Sequence, residues 1–161
     1  MSYEPIDDLL LAAFDRPFTF QQVAAAVPPE MRPQWRVAML ALILARCRHH
    51  RASWKQLHLL NWGIRNSRTR DALRAVAAGE RDPERVVVRF DPALAPAVDL
   101  ARGAGFVKWK DGRLLVLTPQ GEEMASVVER TSVFAEELAF LDAMRPHMTQ
   151  AFANRVLGGA T

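Results

Sequence analysis

Apolar residues follow a helical rhythm along most of this chain. From Gln34 to His50 the pattern predicts one long helix, and its middle, Val37 to Ala45, is apolar on every side. A helix without a polar stripe belongs inside a core. Ser53 opens a second helix, because Ser53 and Gln56 stand at capping-box spacing. Trp54, Leu57, Leu60 and Ile64 mark its buried face. Asn66 or Ser67 restarts the chain into a third helix with Leu73, Val76 and Ala77 inward and Gly79 as its stop. Residues 5–14 predict a short acidic helix with Leu9, Leu10 and Phe14 on one side, and the proline-rich stretch Val27–Pro33 predicts a loop separating that arm from the body.

Further on, the β-branched run Val86–Phe90 predicts a short strand. Asp91-Pro92 is a helix opening, with Asp as cap and Pro at the first helical position. Pro96 lies four residues later, so either the first turn is kinked or the helix begins near Ala95. Gly103 and Gly105 close it. Phe106–Trp109 and Leu114–Leu117 flank Lys-Asp-Gly, a strong hairpin signal. Thr118-Pro119 then caps another helix, and helical patterns continue over Ser132–Arg145, with Phe134, Leu138 and Leu141 on one side, and over Thr149–Leu157.

The expected fold is therefore mainly α: a winged-helix-like helical domain with a small β-hairpin wing and extra C-terminal helices. Residues 1–32 form an N-terminal arm, 33–130 the winged-helix-like core, and 131–161 a C-terminal helical extension.

Composition narrows the class. At 161 residues, half of them hydrophobic and about a quarter charged, the chain suits one globular domain. The longest apolar run has nine residues, against the ~20 of a membrane span, and the acidic N-terminus does not look like a secretory signal. A cytoplasmic protein without a membrane partner is the expectation. The single cysteine excludes an intramolecular disulfide.

Little in the chain points to catalysis. No Gly-x-x-x-x-Gly-Lys occurs, and the Gly-Ala-Gly at 103–105 ends a helix instead of opening one. His49, His50, His58 and His147 lack the companions of a zinc motif. Cys47 sits between Arg46 and Arg48, but it follows an apolar helix, and a buried, inert thiol is expected. Glu122 and Glu123 belong to a first helical turn, where the helix dipole favours them. No enzyme, cofactor or metal ion is expected.

Charge is more informative. Between Arg36 and Arg74 nine basic residues face one acid, Asp71, whereas both the first 30 residues and residues 118–145 carry an acidic excess of four. Such a band favours an anionic partner, either nucleic acid or an acidic protein face. The candidate contacts are Arg46, Arg48, Arg51, Lys55, Arg65, Arg68 and Arg70, joined on the wing by Lys108, Lys110 and Arg113. In a winged helix that reads DNA, the helix before the wing carries base-contacting donors. Here it offers Asp91, Asp99 and one Arg102, a poor surface for a groove. Tryptophan is enriched at binding hot spots, which makes Trp62 and Trp109 candidate docking anchors.

The stretches LLNWGIRNSRTRDAL and VRFDPALAPAVDLARGAGFVKWKDGRLLVLTPQGEEM resemble the small middle components of bacterial ABC-three-component systems, the Lamassu-type anti-phage operons. The likeness rests on Trp62-x-x-Arg65-Asn66, Phe90-Asp91-Pro92-Ala93-Leu94, Gly105-Phe106-Val107 and Leu117-Thr118-x-x-Gly121, and covers roughly residues 57–125. It implies a non-enzymatic accessory subunit, winged-helix-like, beside an SMC-like coiled-coil ATPase and an effector subunit. Double-stranded DNA, contacted without sequence preference, is the further partner expected. The alternative is a winged-helix transcription regulator that binds DNA as a dimer.

Overall fold

The computed structural model describes residues 32–158. The expected helix at 5–14, nearly all of the 1–32 arm and the last three residues of the 131–161 extension lie outside them. Helix α1 (Pro33–Arg46) runs through the centre and buries Val37 and every residue from Met39 to Leu44. It is shorter than its pattern suggested. Cys47 is already extended, and His49 and His50 take positive φ of 56° and 51°, so the chain turns sharply after Arg46. Histidine is among the residues that tolerate this left-handed region.

That turn creates the first strand, β1 (Arg51–Ser53). The hairpin supplies β2 (Val107–Lys110) and β3 (Leu114–Leu117), and the sheet order is β1–β3–β2, antiparallel throughout. Arg51 stands opposite Val116, and Lys110 opposite Leu114. Asp111 and Gly112 adopt positive φ in the connecting loop, as the Asp-Gly pair is suited to do. Val107 and Trp109 turn inward while Lys108 and Lys110 are exposed, the alternation of a half-buried strand.

The strand expected over Val86–Phe90 does not form. That segment is unpaired: β1 already occupies the second side of β3, and only Val86 is buried whereas Val87 is 75% exposed. A β-branched run that pairs with no other strand remains a loop.

Between β1 and the hairpin lie α2 (Trp54–Ile64), α3 (Ser67–Ala77) and α4 (Leu94–Gly103). Both expected caps of the first two are present. Gln56 N–H donates to Ser53 Oγ while Ser53 N–H donates to Gln56 Oε1, and Asn66 and Thr69 make the reciprocal pair before α3. Helix α4 begins at Leu94 rather than Pro92. Asp91 Oδ1 accepts from the Ala93 amide in a turn ahead of the helix, and Pro96 falls in the first turn, where its missing N–H has no carbonyl to bond.

After the wing come α5 (Pro119–Glu129), α6 (Ala135–Met144) and α7 (Gln150–Gly158). Thr118 locks the exit from the hairpin. Its hydroxyl donates to Gly105 O at 2.6 Å and accepts from the Gly121 amide at 3.1 Å, while its own amide donates to Phe106 O. Phe140, Leu141, Met144, Phe152 and Val156 from the last two helices enter the same core as α1. A helix, a short strand, further helices and a hairpin that closes the strand's sheet make the fold mainly α and winged-helix-like. No helix among the described residues is long and apolar enough to cross a membrane.

Candidate functional site

The basic band of the sequence does not form one surface, because the fold divides it in three. One part is neutralised from a distance. Arg36 pairs with Asp91 at 2.6 Å, and Arg46 binds Glu129 and, at 2.8 Å, Asp142. Arg70 is buried, donating to the Ile64 carbonyl at 3.0 Å and to Glu136 at 2.7 Å. It thereby satisfies a carbonyl at the C-terminal end of α2 and ties that end to α6. Arg74 lies over the Phe140 ring, with Asp71 at 3.6 Å. The lack of acids within the band made all these arginines look free in the sequence. The partners of Arg36, Arg46 and Arg70 come from segments far along the chain, while Arg74 has the nearby Asp71.

The second part collects beside the wing. Arg48, Arg51 and Arg145 line an open basin of about 740 Å³, which continues through Leu114 and Gln150 into a smaller depression bearing Lys110 and Arg113. Lys108 is exposed on the same hairpin. Arg51 is placed here by β1, Arg48 by the turn before it, and Arg145 by the 3-10 turn that joins α6 to α7. Among the described residues, none of Arg48, Arg51, Lys108, Lys110, Arg113 and Arg145 has an ion-pair partner. Lys55, at the start of α2, reaches Asn154 of α7 at 3.3 Å. Arg145 was not singled out in the sequence, since its neighbours make that region acidic.

The third part, Arg65 and Arg68, lies at the other end of α2, about 16 Å away along an 11-residue helix. There the two arginines line a cleft with Arg81, Arg85 and Arg89, three residues that sequence reasoning missed. The only available signal was their four-residue spacing in a segment read as loop and strand.

Aromatic side chains connect these regions. Trp109 is half-buried with its ring 6.0 Å from Trp54, Trp54 meets His58 edge-on at 4.9 Å, and His58 stacks on Phe90 at 4.3 Å. Trp62, by contrast, is 8% exposed and packs in the core, where it also lines the arginine cleft. Of the two candidate docking tryptophans, only Trp109 presents substantial surface.

Burial bears on the titration of several groups. Cys47 is enclosed, and desolvation pushes its thiol up to about 12, so the adjacent arginines do not activate it. Burial lowers His58, partly opposed by the charge of Asp91, and among the described residues His58 Nδ1 has no hydrogen-bond partner. Burial alone would raise Asp91, but hydrogen bonds from Arg36, the Ala93 amide and Asn61, together with the Arg36 charge, hold it below its ordinary value. Among the described residues no three His, Cys, Asp or Glu side chains cluster as metal ligands.

The helix before the wing is chemically different from its surroundings. On α4, Asp99 and Arg102 lie 3.8 Å apart, and the other exposed positions are Ala95, Pro96, Leu100 and Gly103. The cations flank the hairpin instead. Fold and surface together define a winged-helix-like protein whose positive charge gathers beside its wing and in the arginine cleft at the far end of α2, and not on its pre-wing helix. No protein-family model matches the chain, and no curated protein or solved structure matches it.

Proposed function

We propose that this protein is a non-catalytic accessory subunit that docks on a larger partner and touches DNA only through phosphates. The observation that carries this reading is the contrast between α4 and the wing. A pre-wing helix with one paired arginine and no exposed amide side chain lacks the donors that read base edges, whereas the five cations lining the depressions beside the hairpin, where Asp111 is the one acid, form no ion pair among the described residues. Phosphate contacts of that kind position a protein on a duplex without selecting a sequence.

The partner we assign is the SMC-like coiled-coil ATPase of an ABC-three-component, Lamassu-type anti-phage system, acting with its effector subunit. This rests on the likeness over residues 57–125. Exposed apolar side chains on the pre-wing side, Phe90 and Leu100, suit a protein-docking surface better than a DNA groove.

Two measurements test the proposal. Affinity for random duplex DNA is expected to fall with salt at a log–log slope of about −4 to −5, as five neutralised phosphates require. Reversing Lys110 and Arg113 to Glu should abolish that binding. Nanomolar binding near physiological salt with about a thousandfold preference for one sequence would replace this reading by that of a transcription regulator. Capture of a coiled-coil ATPase by the tagged protein from cells carrying its own operon is the expected second result.

A further inference from the structure

The cleft at the C-terminal end of α2 has a chemistry of its own. It holds about 570 Å³, a size typical of small-molecule sites. Arg65 and Arg68 form one wall, from the turn between α2 and α3. Arg81, Arg85 and Arg89 form the other, from the segment that follows α3. Among the described residues no carboxylate lines it. Among the described residues, Arg68, Arg81, Arg85 and Arg89 have no ion-pair partner, and Arg65 shares Asp91, 3.3 Å away, with Arg36.

A second feature points the same way. Asn66, Arg68 and Thr69 are the cap and first turn of α3, so the positive end of an 11-residue helix opens onto the cleft. The capping box uses the Thr69 amide, but the amides of Ser67 and Arg68 precede any carbonyl that the helix could offer them. Amides at a helix start and converging guanidinium forks both suit tetrahedral oxyanions.

The geometry points to a binding site for a compact oligophosphate, two or more linked phosphate groups, in this cleft. Charge density decides against an acidic peptide. Four carboxylates along an extended chain spread over about 13 Å, whereas a triphosphate brings comparable charge within a few bonds and offers each arginine two oxygens. Both nucleoside triphosphates and inorganic polyphosphate have this chemistry. The site lies at the far end of α2 from the wing, so it stands or falls independently of DNA binding there.

The test is calorimetric titration of the full-length protein with inorganic tripolyphosphate in low salt. Saturable one-to-one binding is expected. Arg68→Ala and Arg85→Ala should each weaken it at least about tenfold, the effect of losing one charge-assisted hydrogen bond. Arg85→Lys, which keeps the charge and loses the fork, should fall between. The wing variant Arg113→Ala should change it less than about twofold, because wing and cleft are separate and mobile ions screen exposed charges over roughly 10 Å. All three positions are exposed, and circular dichroism of each variant checks that it is folded. ATP binding tighter than tripolyphosphate assigns the ligand to nucleotides, and equal binding assigns it to the phosphate chain. Three results would overturn the proposal: no saturable binding, equal weakening by the wing and cleft variants, or a hexaglutamate peptide binding as tightly as tripolyphosphate. The last would give the cleft to an acidic protein segment.

Discussion

Arg36 of α1 donates to Asp91 at 2.6 Å, joining two positions 55 residues apart. Asp91 is the more enclosed partner, with its side chain 11% exposed, and it also accepts from Asn61 and the Ala93 amide. It fastens the core helix, α2 and the turn into α4 together. Asp91→Ala strands these donors, and urea denaturation should show a loss of about 2–3 kcal/mol. The folded-state pKa of Asp91 is lowered, so the unfolded chain binds the proton first. Its contribution is complete above the ordinary carboxylate value and disappears as pH falls through the folded value. In Asp91→Ala that part of the acid destabilisation should be missing.

Gly121 explains the Leu-Thr-x-x-Gly motif physically. A Cβ at this position would stand 2.1 Å from Phe106 O and 2.7 Å from a Leu117 methyl, because α5 starts directly against the hairpin. Gly121→Ala must force α5 and the wing apart. Thermal melting should show a destabilisation of about 1–3 kcal/mol, in the range of overpacked cores.

His58 makes stability depend on pH near neutrality. Its folded pKa is lowered, first by burial, so protonation favours the unfolded chain. The stabilising contribution is complete above the ordinary imidazole value of about 6.5 and is lost as pH falls below it. Since Nδ1 has no partner among the described residues, His58→Leu removes an unsatisfied polar atom, and its stability at pH 7.5 should stay within about 1 kcal/mol of the parent. Denaturation at pH 7.5 and pH 5.5 checks both points: the variant should lose less stability between them.

Cys47 is expected to be unreactive in the folded protein. With its thiol pushed up to about 12 and its side chain enclosed, very little thiolate forms or meets solvent at pH 8. A disulfide reagent should label it only after denaturant is added. Rapid labelling of the native protein would contradict the enclosed position at the end of α1.

Much of the fold could be read from adjacent residues. The boxes at Ser53–Gln56 and Asn66–Thr69, the Thr118 cap and the Asp111-Gly112 turn all appear where their side chains require. The misread elements are the ones that depend on a distant neighbour. β1 has no strand-forming run of its own and exists because β3 lies beside it, while Val86–Phe90 has such a run and pairs with no strand. The site was less legible. Arg48, Arg51, Lys110 and Arg113 were named from charge and do share a surface, but Arg46 and Arg70 carry structural ion pairs, and Arg81, Arg85 and Arg89 were missed.

Local chemistry in the amino-acid order was enough to establish a mainly helical chain with an apolar central helix, capped neighbours and one wing. Caps, tight turns and apolar periodicity are interactions among residues a few positions apart, and they survive whatever the rest of the chain does. Packing alone settled which cations stay free. Arg46 and Asp142 are separated by 96 positions and meet only once α1 lies against α6, and the two walls of the arginine cleft converge only after α3 folds back on α2. Long-range electrostatic pairing is a property of the assembled core, so which surface can hold an anion is decided there.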